Sequence, residues 1–136
     1  ECEIAPNDHV FELGCGRGRA AFFLRSVLLC SVTAVDFIPF FISNAKKIVE
    51  MLNIECLTFI CNDIQQVALN QATCIYLYGT CLSPSVIKQL CASLPSKIKI
   101  ITLSYALRDY YQGFKIIKQF SVPVPWGKIE VFLNQK

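Results

Sequence analysis

The sequence of 136 residues contains a single histidine, and its eight cysteines include no C-x-x-C pair. Zinc sites in proteins usually draw on closely spaced cysteine and histidine ligands, so no metal site is expected. Most of the cysteines lie inside apolar segments, where a cysteine behaves as a small hydrophobic side chain. We therefore expect free thiols and a reducing, cytoplasmic location.

Charged residues are also scarce, at 17% against 54% hydrophobic residues, so the chain should fold around one substantial core. No apolar run approaches the ~18 residues that a membrane-spanning helix needs, and no membrane partner is expected. Acidic residues (Glu1, Glu3 and Asp8) stand where a signal peptide would carry basic ones. The first residue is not Met, so residues 1–136 are expected to be one domain that lacks an N-terminal segment.

The net charge of +3 is unevenly distributed along the sequence. Residues 1–85 contain 5 basic and 8 acidic side chains, whereas residues 86–136 contain 8 basic and 2 acidic ones. Scattered lysines of this kind are typical of a solvated surface, although an acidic partner would also suit them. A nucleic-acid partner is not indicated.

Apolar periodicity alternates between strand and helix along most of the chain. Helices are predicted at 19–29, 38–52 and 83–94, the last opening with an N-cap serine followed by proline. Strands are predicted at 9–13, 32–35, 57–61, 74–77, 97–103, 114–122 and 128–134. The last two strands should form an antiparallel hairpin, and the others a mostly parallel sheet covered by helices on both faces. Ligand-binding loops then lie at the C-terminal ends of the strands.

The most informative segment, E-L-G-C-G-R-G at 12–18, combines a strand, a glycine turn and the start of a helix. Glycines allow a ligand to approach the backbone closely, and the helix start offers free N–H groups. The dinucleotide fingerprint G-x-G-x-x-G would need glycine or alanine where Arg19 stands. The carboxylate of Glu12 suits a ligand with an ammonium group and would repel a pyrophosphate. A fortuitous glycine turn remains the alternative.

Two acidic residues follow later strands of the predicted sheet. Asp36 ends the second strand, where a carboxylate could accept hydrogen bonds from ribose hydroxyls or cap the next helix from an exposed position. Asp63 ends the third strand after Asn62, where it could accept from an adenine amino group, with Ile64 against the base. Its alternative role is the N-cap of a short helix at 64–69.

Three motifs together resemble the class I S-adenosylmethionine-dependent methyltransferases: V-F-E-L-G-C-G-R-G at 10–18, A-V-D at 34–36 and C-N-D at 61–63. The resemblance implies a Rossmann-like, seven-stranded α/β fold with S-adenosylmethionine as cofactor. The segments 75–82, 100–107 and 125–133 are similar to the non-SET histone-lysine methyltransferases and their small prokaryotic relatives, which implies protein lysine as a candidate acceptor. The chain departs from those enzymes at Tyr78-Gly79, where they have asparagines, and it lacks their N-terminal helical region.

The resemblance also implies a role for individual residues. Glu12 with the backbone of Gly14 and Gly16 would hold the methionine end, Asp36 the ribose and Asp63 the adenine. Tyr78 is the candidate catalytic residue, which would orient the acceptor or wall the pocket. The cofactor-binding set that the resemblance implies is Glu12, Gly14, Cys15, Gly16, Gly18, Asp36, Phe37, Asn62, Asp63, Ile64, Tyr78 and Gly79. Trp126 belongs either to the hairpin core or to a lid that faces the acceptor.

Three functional hypotheses follow from the sequence. The first is an active methyltransferase, which needs no catalytic triad because positioning provides most of the catalysis. The second is an NAD-binding domain, which Arg19 and the terminal hairpin disfavour. The third is a non-catalytic binding or scaffold domain that descends from a methyltransferase.

Overall fold

The computed structural model describes residues 2–136, which form an α/β fold with three α-helices. The helices are Arg19–Leu28 (α1), Pro39–Met51 (α2) and Pro84–Ser93 (α3), with a short 3₁₀ helix at Leu107–Asp109. The strands are His9–Leu13 (β1), Ser31–Asp36 (β2), Leu57–Cys61 (β3), Cys74–Leu77 (β4), Lys99–Leu103 (β5), Lys115–Val124 (β6) and Gly127–Gln135 (β7).

All seven strands belong to one sheet in the order β3-β2-β1-β4-β5-β7-β6. Strands β1 to β5 are parallel to their neighbours, whereas β7 runs antiparallel to both β5 and β6. The predicted fold, a mostly parallel seven-stranded sheet ending in an antiparallel hairpin, is confirmed. The order reverses at β1 and β4, and a crevice opens there at the C-terminal ends of the strands.

The sheet is covered by helices on both faces, as predicted. On one face, α1 and α2 bury Ala21 and Ile42 against a cluster that includes Val10 of β1. On the other face, α3 buries Leu90 against a cluster that includes Leu13. Because side chains alternate along a strand, β1 contributes to both cores, and nearly all its residues are buried.

Local sequence explains where two of the helices begin. The Ser83 hydroxyl accepts a hydrogen bond from the Val86 N–H at 3.4 Å, and Pro84 occupies the first turn of α3. Pro39 plays the same part at the start of α2. Helix α1 has instead Gly18 as its N-cap residue, with a left-handed φ of 77° and no side chain to cap the helix.

Two helical features that the sequence suggested differ in the structure. Residues 64–67 form a turn and a bend, so the short helix at 64–69, which belonged to the alternative role of Asp63, does not form. Several apolar side chains that recur at helical spacing are exposed rather than packed in the core, among them Phe23 at 56%, Val27 at 60% and Leu52 at 62%. Each helix rests on only part of the sheet, so only a narrow stripe of its surface is buried. Phe23 lies instead along an apolar groove beside β4, β5 and the hairpin.

The hairpin-core interpretation of Trp126 is also wrong. Trp126 lies in the turn between β6 and β7 and is 76% exposed. Leu103 at the end of β5 pairs with Val131, so the first residues of β7 and the turn before them project beyond the sheet edge at which the glycine loop lies. The indole is therefore presented to solvent at that edge.

Within residues 2–136, no helix is long and apolar enough to cross a membrane. The same residues contain no group of three or more His, Cys, Asp or Glu side chains that could hold a metal ion. None of the eight cysteines forms a disulfide bond within residues 2–136.

Candidate cofactor site

A cavity of about 680 Å³ lies at the C-terminal edge of β1 to β4. Its wall combines loop backbone, two carboxylates and apolar side chains. Eight of the twelve predicted cofactor residues line it: Gly14, Gly16, Asp36, Phe37, Asp63, Ile64, Tyr78 and Gly79. Residues from four separate strand ends therefore meet around one space, as the topology requires.

The glycine loop presents its backbone to this cavity. The N–H groups of Gly14 and Cys15 both donate to the Val35 carbonyl, at 2.8 and 2.9 Å, which ties the loop to the end of β2. Gly14 and Gly16 have φ values of 77° and 52°, and a Cβ added to either would meet no atom within 4 Å. The two glycines therefore leave open a cradle that a side chain would fill.

Gly18 has a different surrounding from the other two glycines. A Cβ at Gly18 would lie 2.6 Å from the ring of Phe59, a buried residue of β3. Gly18 does not line the cavity, and its role is to let the start of α1 pack against the sheet.

Asp36 lies at the cavity wall and is buried, with 7% of its surface exposed. Its Oδ2 accepts a hydrogen bond from the Gly16 N–H at 2.8 Å, and its Oδ1 accepts one from the Ile38 N–H at 2.9 Å. The carboxylate thus fixes the glycine loop and precedes α2. Each oxygen keeps a second lone pair, which is free for a hydroxyl donor in the cavity. The exposed-cap alternative does not describe this buried carboxylate.

Asp63 and Asn62 lie in different places despite being neighbours. Asp63 lines the cavity, and its Oδ1 accepts from the Gln65 N–H at 2.9 Å, so it caps a turn rather than a helix. Asn62 lies instead in a separate depression beside Phe11, and its Oδ1 accepts from the Asp63 N–H. The Asn62 side chain thus positions the Asp63 backbone from outside the cavity.

Glu12 is 5% exposed and lies behind the glycine loop rather than in the cavity wall. Its Oε2 is buried without a hydrogen-bond partner among the described residues. Burial raises the pKa of Glu12 to about 8, an effect that the Ala21 N–H opposes and the charge of Asp36 reinforces. An unpartnered buried acid of this kind is a common feature of functional sites.

Cys15, like Glu12, is not part of the cavity wall. Its side chain is buried in the core under α1 and α2, and burial raises the pKa of the thiol well above its usual range. Cys15 therefore remains a neutral, apolar part of the core.

Tyr78 and Gly79 form the side of the cavity that follows β4. Tyr78 lines the cavity and is 39% exposed, so its side chain lies at the cavity mouth. Beneath Gly79 lies the Tyr105 hydroxyl, 2.7 Å from the position of an added Cβ and without a hydrogen-bond partner among the described residues. Tyr105 thus leaves room for glycine only.

The sequence-based set missed the apolar part of the cavity wall. The missed residues are Leu13, Ile38, Cys81, Leu82 and Val86. Leu13 and Ile38 adjoin predicted site residues and could have been inferred. Cys81 and Leu82 come from the segment between β4 and α3, and Val86 comes from the first turn of α3. None of the three is a glycine or an acidic residue, so no pattern in the sequence marked them.

Comparison with known proteins agrees with this geometry. The model of a family described as the methyltransferase domain matches residues 4–113. The chain belongs to this methyltransferase domain family. The matched range contains the glycine loop, both acidic strand ends and the fourth-strand loop of the candidate site.

A curated relative is the carboxy-S-adenosyl-L-methionine synthase of Trichlorobacter lovleyi, 31% identical over 83 residues, or 55% of this chain and 33% of the relative. Among solved structures, a mutant of MtNAS in complex with S-adenosylmethionine superposes with a TM-score of 0.81 at 16% identity, covering 97% of this chain and 56% of that one. An RNA methyltransferase from Salinibacter ruber in complex with S-adenosyl-L-homocysteine gives 0.74 at 17% identity, covering 97% and 84%.

The superpositions show that this chain has the same fold as both solved structures. The chain spans about a third of the curated relative and just over half of the MtNAS chain.

Proposed function

We propose that this domain binds S-adenosylmethionine in the cavity at the C-terminal edge of β1 to β4 and transfers its methyl group to an acceptor. The observation that carries the proposal is the convergence in that cavity of an open glycine cradle with the carboxylates of Asp36 and Asp63. The family match and the cofactor-bound structures of the same fold support it.

The residues fit the parts of such a cofactor. The remaining lone pairs of Asp36 suit ribose hydroxyls, and Asp63 with Ile64 suits an adenine amino group and ring. The backbone of Gly14 and Gly16 would allow close approach of the chain between ribose and amino acid. Glu12, with its unpartnered Oε2, offers a carboxyl group for an ammonium end.

The cofactor supplies an activated methyl group on a sulfonium, so the protein's task is alignment and exclusion of water. Alignment alone can provide ~7–11 kcal/mol of the barrier reduction. Tyr78, at the mouth of the cavity, would either orient the acceptor through its hydroxyl or form part of the pocket wall. No proton-transfer residue is needed for an acceptor that arrives deprotonated.

Two acceptor classes are worth testing. Protein lysine is implied by the sequence resemblance of 75–82, 100–107 and 125–133 to the histone-lysine methyltransferases. RNA is suggested by the Salinibacter ruber RNA methyltransferase of the same fold. Incubation with tritiated cofactor and either a protein extract or total RNA would separate them by which fraction becomes labelled.

We also propose that residues 1–136 are the cofactor-binding core of a longer, cytoplasmic protein. The partial coverage of the relatives supports a longer protein, and cysteines without disulfide bonds are compatible with a reducing compartment.

Calorimetric titration with S-adenosylhomocysteine and with NAD tests the cofactor assignment. We expect binding of S-adenosylhomocysteine with micromolar or tighter affinity and no heat with NAD. Binding of NAD alone would establish the dinucleotide alternative and overturn the proposal. Tight S-adenosylhomocysteine binding without labelling of any protein or RNA fraction would favour the non-catalytic scaffold.

A further inference from the structure

Glu12 lies near the end of β1, behind the glycine loop and two residues before Gly14, whose backbone borders the cavity. It points to the same face of the sheet as Val10, between the first turn of α1 and Tyr76, its partner in register on β4. The group is almost completely buried, and Oε2 has no hydrogen-bond partner among the described residues. A buried carboxylate with an unpartnered oxygen is costly, so the free protein disfavours its charged form.

The neighbouring groups provide no compensating positive charge. The Ala21 N–H of α1 favours the charged form, whereas Asp36 at the end of β2 opposes it. Cys15 in the loop is buried and Tyr76 on β4 is half-buried, and desolvation raises the pKa of both, that of Tyr76 to about 12, so both stay neutral at pH 7. Asp36, already bonded to two backbone N–H groups, is the charged neighbour of Glu12.

We propose that Glu12 carries a proton in the free protein and releases it when the ammonium group of the cofactor binds beside it. Binding then converts a neutral carboxyl and an ammonium into an ion pair, and one proton passes to the buffer. The inference rests on the proposed function, because it needs a ligand with a cationic end next to the adenosine. Affinity for the cofactor would therefore depend on pH through Glu12.

The size of the effect follows from the pKa of about 8 in the free protein. At pH 7 such a group is mostly protonated, so binding should release about 0.5 to 1 proton per ligand. Over the range in which the free group is protonated and the bound group is not, the Kd should fall about tenfold for each pH unit. We expect this fall between pH 6.0 and 7.0, where the ligand's ammonium stays charged.

Calorimetry of S-adenosylhomocysteine binding at pH 7 in buffers of different ionisation enthalpy measures the released proton directly. The control ligand is 5′-methylthioadenosine, which keeps the adenosine but has no ammonium group. We expect proton release with the first ligand and none with the second. Equal release with both ligands would assign the proton to another group and overturn the inference.

The variant Glu12→Gln keeps the shape of the side chain and cannot titrate, so it should bind without proton release and with a Kd that is nearly constant between pH 6.0 and 7.0. Carbon-13 NMR of the glutamate carboxyl groups in the free wild-type protein gives a second test that needs no variant and no ligand. One glutamate should titrate near pH 8, and the inference fails if every glutamate titrates below pH 6.

Absence of S-adenosylhomocysteine binding to the wild type would instead refute the proposed function.

Discussion

The three glycines of the loop after β1 all have positive φ but face different surroundings. Gly14 and Gly16 border the open cavity, whereas Gly18 packs against the Phe59 ring. A side chain would therefore interfere with ligand binding at the first two positions and with folding at the third.

Gly16→Ala and Gly18→Ala should separate these two roles. Alanine at Gly16 carries only backbone strain of about 1–2 kcal/mol and should weaken S-adenosylhomocysteine binding at least tenfold. Alanine at Gly18 adds overpacking of about 1–3 kcal/mol to the same strain. Urea denaturation and calorimetry would measure both, with Arg19→Ala as the control that changes neither by much. A Gly16 variant that binds as well as the wild type would remove the loop from the site.

Asp36 combines a structural and a ligand-binding role in one side chain. Asp36→Ala leaves the N–H groups of Gly16 and Ile38 without their acceptor, which should cost about 1–3 kcal/mol of unfolding free energy. The same variant should bind S-adenosylhomocysteine at least tenfold more weakly. Asp36→Asn retains one acceptor and should lose less stability but similar affinity. If either folded variant binds normally in calorimetry, Asp36 does not contact the ligand.

At the scale of elements, the hairpin is joined to the parallel sheet by a buried polar side chain. The Asn134 amide on β7 is fully buried and donates to the Ile100 carbonyl, the Thr102 hydroxyl and the Phe132 carbonyl. Its Oδ1 accepts from the Leu107 N–H at 3.1 Å, which also fixes the segment after β5. One side chain thus connects β5, β7 and the 3₁₀ helix.

Asn134→Ala should destabilise the protein by about 2–4 kcal/mol, because it leaves a buried N–H and a cavity. The adjacent Gln135 is exposed, and Gln135→Ala should change stability by less than about 0.5 kcal/mol. Urea denaturation of the pair checks the expectation. Equal stabilities would mean that packing alone holds the hairpin in place.

At the scale of the whole molecule, the cysteines differ in burial, and their reactivity therefore measures how well both cores exclude solvent. Burial raises the pKa of Cys74 to about 12 and that of Cys91 to about 11, so both are unreactive near neutral pH. The buried thiols are Cys15, Cys30, Cys74 and Cys91, the exposed ones are Cys56, Cys61 and Cys81, and Cys2 is half-buried.

Thiol titration of native protein without reductant should therefore show three fast groups and one of intermediate rate from Cys2, and unfolded protein should show all eight. The buried thiols should react at the rate of unfolding. Two or more cysteine pairs that stay unreactive after unfolding would reveal disulfides and contradict the cytoplasmic proposal.

Periodicity and turn chemistry in the sequence were enough to determine the sheet, its hairpin and three helices. Apolar runs of five residues ended by glycine or aspartate specify buried parallel strands, because such strands are covered on both faces. The same logic placed the glycine loop, Asp36 and Asp63 at one sheet edge. Strand and helix positions, and the residues that end each strand, depend mainly on side chains close together in sequence, so a pattern in the sequence can reveal them.

Only the tertiary structure decided what each side chain faces. Phe23 and Leu52 have the spacing of core residues but lie where a helix overhangs the sheet. Asn62 and Asp63 are adjacent, yet one faces a separate depression and the other the cavity. The unpartnered oxygen of Glu12 depends on how α1, β2 and β4 close around it. Burial and hydrogen bonding at these positions come from residues distant in sequence, and no local pattern encodes them.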